Sequence, residues 1–193
     1  MDEHYHKLKE FGEVKANEPL AKHVTFKIGG PARLFVTVTD TAKLIALFNY
    51  LSEEDVEYFV VAGGSNLLMN DDGFDGVVVK IATDNKPIMK SSGSGTSIEA
   101  EAGVKLSALV NLAAQNSLAG IDWAIGIPGT FGGAIRGNAG AMGKEIKNIL
   151  TWVEVLRDGE VLRLKPEDCG FSYRKRMTEL TLSFIGEHKN IHL

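Results

Sequence analysis

The chain has 193 residues, 44% hydrophobic and 24% charged, with a net charge of −4. That composition is ordinary for a globular protein, and the length suits one domain or two small ones that bury roughly 70% of the unfolded chain's surface. The acidic balance excludes a broad polyanion-binding surface, so nucleic acid and anionic lipid are not expected partners.

Residues 1–16 read as a polar N-terminal segment. Its start, "MDEHYHKLKEF", is charged from the second residue and lacks the apolar core of a secretory signal. No apolar run approaches the ~20 residues that cross a bilayer, so no membrane partner and a cytoplasmic location are expected. The H-x-H pair His4/His6 and the wider pair His188/His192 sit near the termini. Terminal disorder is the plainer reading for them, and no metal is expected. Cys169 is the only cysteine, which excludes an intrachain disulfide and a cysteine-based metal site.

A small subdomain is expected over 17–82. "ARLFVTV" (32–38) is rich in β-branched residues and reads as a strand. Asp40 or Thr41 follows as a helix N-cap, with Leu44, Ile45, Leu47, Phe48 and Leu51 at helical spacing. "EYFVVAGGSNLLM" reads as a buried strand ending in a glycine turn, and "GVVVKI" (76–81) as another strand. Together they make a β-α-β-β unit.

The division falls near residues 82–97, where "SSGSGTS" (91–97) reads as a hairpin tip or an interdomain link. A larger subdomain is expected over 97–186. "SIEAEAGV" alternates strictly, with Ile98, Ala100, Ala102 and Val104 on one face. Leu106, Leu109, Val110, Ala113 and Ser117 fit one helical face, and "WVEVLRDGEVLRL" reads as a hairpin turning at Asp158-Gly159. Strands that pair locally and also alternate with helices point to the α+β class.

Two segments carry candidate chemistry. "AGGSN" (62–66) and "GIPGTFGGAIRGNAG" (126–140) match neither the G-x-G-x-x-G dinucleotide fingerprint nor a P-loop. Glycine still permits the dihedrals and the close approach by which backbone N–H groups cradle a diphosphate, and Ser65 and Asn66 would add side-chain donors. Hydrogen bonds to a charged group contribute roughly 1.5–3 kcal/mol each, so several donors can hold a diphosphate without a lysine. A tight turn with no ligand explains "AGGSN" equally well. The second segment suits a backbone lying flat against a planar or phosphorylated ligand, with tight packing between helices as the alternative.

Four segments in order carry a resemblance: "HVTFKIGGPARLFV" (23–36), "VVAGGSNLLM" (60–69), "GIDWAIGIPGTFGGAIRGNAGAMGKEI" (120–146) and "CGFSYR" (169–174). Over about 17–174 the chain resembles the UDP-N-acetylenolpyruvoylglucosamine reductase family, flavin enzymes of peptidoglycan precursor synthesis. Ala62 stands where that family usually has glycine, and Met142 where an aromatic is common. The resemblance implies a two-part FAD-binding domain of the vanillyl-alcohol-oxidase (PCMH) type, with FAD between its halves. It implies a diphosphate at Ala62, Gly63, Gly64, Ser65 and Asn66, and cofactor contact along Gly126, Gly129, Thr130, Gly132, Gly133, Asn138, Ala139 and Gly140. NADPH would be the hydride donor, and the enolpyruvyl group of a UDP-sugar the acceptor. Arg174 matches the family arginine that faces the substrate; a guanidinium is always charged and grips a carboxylate with two parallel bonds.

Family members continue into a further domain that supplies a serine proton donor and a glutamate, and this sequence has no such region before Leu193. "KRMTELTLSFIGEHKNIHL" departs from the family after Arg174, although "TLSFI" suits a strand closing the FAD domain. Ser172 is given no catalytic role, and His23 is read as structural. A non-catalytic FAD-binding module, a partner chain supplying the rest, and another oxidoreductase of the same flavin fold are the alternatives.

Overall fold

Residues 3–83, 85–92, 95–171 and 180–186 of a computed structural model are described, and they fall into two units divided between Thr83 and Asp84. In chain order the first unit has α1 (Tyr5–Leu8), β1 (Glu13–Pro19), a 3-10 turn (Leu20–His23), β2 (Pro31–Val38), α2 (Thr41–Glu53), β3 (Tyr58–Val61) and β4 (Phe74–Ile81). The sheet order is β1-β2-β4-β3, with β2 and β3 parallel to β4 and β1 antiparallel to β2. Strands covered on both faces read as continuous apolar runs. Leu34, Phe35 and Val36 in β2 and Val77, Val78 and Val79 in β4 are accordingly all buried.

Asp40 caps α2, its carboxylate accepting the Lys43 N–H at 2.8 Å. Leu44, Leu47, Phe48 and Leu51 form the buried face of that helix. Phe35, Val61 and Val78 pack in a cluster with Leu20 and Ala32, and Leu67, Met69 and Phe74 lie against it. Fully burying such a side chain contributes roughly 1.5–3 kcal/mol, so this cluster fixes the loops that leave β3 and enter β2.

The N-terminal segment is built into this unit. Leu8, Phe11 and Val14 are buried, and the His4 Nδ1 hydrogen-bonds with the Tyr50 hydroxyl of α2 at 2.7 Å. The expected disorder at His4 therefore gives way to docking. The sequence reading contains no β1, because only Val14 among its first five residues points inward.

The second unit has β5 (Ile88–Ser92), β6 (Gly95–Glu101), α3 (Leu106–Gln115), α4 (Phe131–Arg136), β7 (Gly140–Ala141), β8 (Lys144–Glu145), β9 (Val153–Arg157), β10 (Glu160–Leu164) and β11 (Leu180–Gly186). Its main sheet runs β10-β9-β11-β6-β5 with every neighbour antiparallel, and β7 and β8 pair separately. The described residues of "SSGSGTS" belong to the β5-β6 hairpin, paired Ser92 with Gly95. At the β9-β10 turn Asp158 and Gly159 both have positive φ, 49° and 81°, as a type I′ hairpin requires. "TLSFI" lies within β11, between β9 and β6. Leu106, Leu109, Val110 and Ala113 form the buried face of α3. Ser117 falls beyond its end with φ 57°.

Candidate cofactor site

In the first unit the Ala62–Asn66 turn leaves the C-terminal end of β3, after buried Val61. Gly63 and Asn66 are exposed, Ala62 and Ser65 half-buried, and Gly64 buried. Gly64 has φ +64°, and a Cβ there would overlap the His23 carbonyl oxygen. Its own carbonyl accepts the Thr25 N–H at 3.1 Å. So glycine is required at 64 by a crossing of two backbones. Among the described residues, no protein acceptor engages the N–H groups of Gly63, Gly64 or Asn66. Unpaired backbone donors at a partly buried turn are costly unless a ligand or water meets them. Diphosphate oxygens are acceptors of the right kind, and the turn fits such a group.

The backbone behind this turn is anchored by His23. Its ring stacks on Phe35, centroids 4.0 Å apart and planes 22° from parallel. Its Nε2 lies 3.0 Å from the Glu18 Oε1, and the two side chains are only 13% and 12% exposed. Burial, then the charges of Lys80 and Lys15, hold His23 below its ordinary value against the raising effect of Glu18. For Glu18, burial acts upward but is outweighed by the His23 hydrogen bond and by the charges of Lys22, His23 and Lys15, so it too titrates low. At neutral pH the contact is thus a neutral imidazole N–H donating to a carboxylate.

In the second unit the longer glycine segment has two characters. Gly126 is exposed with φ +85°, and a Cβ there would meet nothing within 4 Å. Ile125 beside it is 70% exposed. Among the described residues the Gly126 and Gly129 N–H groups meet no protein acceptor. From Thr130 onward most of the backbone donors are engaged by protein acceptors. Thr130 caps α4, its hydroxyl accepting the Gly133 N–H at 3.2 Å. The Gly132 N–H donates to the Ala102 carbonyl at 2.9 Å, the Asn138 N–H to Ile135 at 2.9 Å and the Ala139 N–H to Ala134 at 2.7 Å. A Cβ on Gly140 would stand 2.6 Å from the Lys144 carbonyl oxygen. Asn138 is buried with φ 43°, and its Oδ1 accepts the Lys147 N–H at 3.3 Å. Glu145 is held low by its bond to Lys147, with Asn138 adding to it and burial opposing.

The β7-β8 turn is a feature that sequence reasoning did not single out. Met142 and Gly143 both have positive φ, 53° and 77°, and Met142 is 87% exposed. Methionine in that conformation is uncommon, and the motif departure at Met142 was its only sequence signal. Arg174 and Ser172 lie outside the described residues. Among the described residues no group of three or more His, Cys, Asp or Glu converges as for a metal. Buried Cys169 donates its thiol to the Lys165 carbonyl at 3.2 Å.

A family model described as an FAD binding domain matches residues 32–165. The chain belongs to this FAD-binding domain family. Over 172 residues it is 43% identical to the UDP-N-acetylenolpyruvoylglucosamine reductase of Caldanaerobacter subterraneus subsp. tengcongensis, with 87% of this chain and 56% of that protein covered. The crystal structure of UDP-N-acetylenolpyruvylglucosamine reductase from Thermus caldophilus is 29% identical, with a TM-score of 0.72 over 93% of this chain and 63% of that one. A VAO-type flavoprotein from Myceliophthora thermophila, 16% identical with a TM-score of 0.60, covers 82% of this chain and 32% of its own, and shares the fold. The two-part α+β fold of the FAD-binding domain family is therefore that of the vanillyl-alcohol-oxidase type. The chain spans about half the length of the curated relatives it matches. No described helix is long and apolar enough to cross a membrane.

Proposed function

We propose that this chain is the FAD-binding part of a UDP-N-acetylenolpyruvoylglucosamine reductase. The observation that carries this is the set of unengaged N–H groups at Gly63, Gly64 and Asn66 in a chain of the FAD-binding domain family. Bound FAD supplies hydride transfer from NADPH to the enolpyruvyl double bond of a UDP-sugar. The turn's backbone donors, joined by Ser65 and Asn66, hold the diphosphate, and Gly126 and Gly129 offer a second set of open amides to the cofactor. Thr130, Gly132, Gly133, Asn138, Ala139 and Gly140 keep that second segment in shape. Arg174 grips the substrate carboxylate, where a fixed cation stabilises the charge that builds beside it.

The resemblance implies a serine acid and a glutamate in the part of the relatives this chain does not span, so the complete reaction is proposed for the whole protein or for a partner chain that supplies them. General acid catalysis contributes roughly 10²–10⁴-fold, and FAD binding does not depend on it. A nucleotide-sugar substrate and NADPH support a cytoplasmic location as part of this proposal. The test is an absorption spectrum of the chain after incubation with FAD and desalting. Retained flavin bands that bleach with NADPH are expected. A colourless protein overturns the reading, and bands that ignore NADPH favour a non-catalytic flavin module.

A further inference from the structure

The segment 23–25 has little regular structure of its own, yet it is the surface on which Gly64 is shaped. It begins at the last residue of the 3-10 turn Leu20–His23. The Thr25 N–H donates to the Gly64 carbonyl, and the His23 carbonyl fills the space of a Gly64 side chain. What fixes this segment sideways is the His23 ring. Phe35 beneath it is a fully buried member of the β2 core. Glu18 beside it is held by β1, through the Glu18–Ala32 register with β2. We propose that His23 is a positioning residue for the Ala62–Asn66 turn, passing the rigidity of the β1-β2 pair to the backbone donors, a role that rests on the reading of that turn as the diphosphate holder.

The linkage runs through named contacts. Glu18 and Phe35 fix the imidazole, the imidazole fixes the carbonyl of its own residue and the Thr25 N–H, and these two fix Gly64 between the free N–H groups of Gly63 and Asn66. Site groups must be held within tenths of an ångström by supporting contacts, and here the support is a stacked ring with a charge-assisted hydrogen bond. The titratable groups around His23 are Glu18, which accepts its hydrogen bond, Lys15 on β1, Lys80 on β4, and Lys22, which reaches Glu18 at 3.5 Å. Burial, with Lys80 and Lys15, opposes a proton on the ring more than Glu18 favours it, so the support weakens toward acid pH.

The experiment compares the full chain with His23→Phe, Glu18→Gln and Asn66→Asp by FAD titration (flavin fluorescence) and by amide hydrogen exchange without FAD. His23→Phe keeps a stacked ring but loses the bond to Glu18. It is expected to weaken FAD about tenfold and to speed exchange of the Thr25 amide by a similar factor, with the β2 and β4 amides unchanged. Glu18→Gln keeps an acceptor and should weaken FAD less. Asn66→Asp sets a carboxylate against the diphosphate and should weaken FAD about tenfold or more without changing Thr25 exchange. Wild-type affinity should fall as pH drops below 6.5 through the depressed value of His23, and His23→Phe should lack that inflection. If Asn66→Asp loses FAD while His23→Phe binds like wild type, the positioning role is overturned and the diphosphate reading stands. If both bind like wild type, that reading fails and the proposal fails with it. If His23→Phe speeds exchange throughout β2 and β4, or keeps the acid inflection, His23 is only a structural residue and the proposal is overturned.

Discussion

The two glycine segments look alike in sequence and differ in what their glycines do. At Ala62–Asn66 one glycine, Gly64, lets two backbones cross, and the amides around it stay unengaged. In 126–143 the middle of the run is engaged with protein through Gly132, Gly133, Asn138, Ala139 and Gly140, while Gly126 and Gly143 have open space where a side chain would project. The comparison teaches that glycine density marks close backbone approach without saying to what. The approach is to protein at Gly64 and Gly140 and to open space at Gly126.

Substitutions break this comparison most directly. Gly64→Ala combines a positive φ with overlap on the His23 carbonyl, and should cost roughly 2–4 kcal/mol in chemical denaturation and abolish FAD retention. Gly140→Ala, pressed against the Lys144 carbonyl, should cost about 1–3 kcal/mol while the folded fraction binds FAD within about twofold of wild type. Gly126→Ala meets no atom, so the unfavourable φ alone should cost about 1 kcal/mol. Its FAD dissociation constant should nevertheless rise about tenfold, equivalent to 1.4 kcal/mol of lost binding. Equal losses of affinity at Gly140 and Gly126 would erase the distinction between these two glycines.

Smaller effects sharpen it. His23 titrates lower folded than unfolded, so its contribution to stability is complete above 6.5 and is lost as pH falls from there through the folded value. Glu18, also depressed, contributes above 4.5 and its contribution is lost below that as it protonates. Melting temperatures between pH 7 and 4 should therefore fall in two steps, and His23→Phe should remove the upper one. The smallest change expected is a gain. Met142→Asn gives the β7-β8 turn a residue suited to φ 53°, and should raise stability by a few tenths of a kcal/mol in denaturant melts.

Much of the local structure was legible. The β-branched content of "ARLFVTV", the spacing of Leu44, Leu47, Phe48 and Leu51 with Asp40 before them, and Asp158-Gly159 each state a local preference that the fold keeps. β1 was not legible, because its outward face is polar and its partner lies more than ten residues on. The N-terminal segment looked unattached because its anchors, Tyr50 for His4 and the core for Leu8 and Phe11, are remote or few. In the candidate site, the sequence marks the two glycine segments as places of close backbone approach, and what each glycine approaches was not legible.

The sequence by itself determined where strands, helices, caps and tight turns form, since these follow from side-chain period and backbone freedom over a few residues. It also marked 62–66 and 126–140 as stretches where glycine permits close backbone approach. Only the tertiary structure decided that β11 enters between β9 and β6, that β4 separates β2 from β3, and that His23 stands behind Gly64. Those decisions join residues tens of positions apart. Burial of apolar faces and the pairing of backbone polar groups settle them across the assembled sheet, and no local window contains both partners.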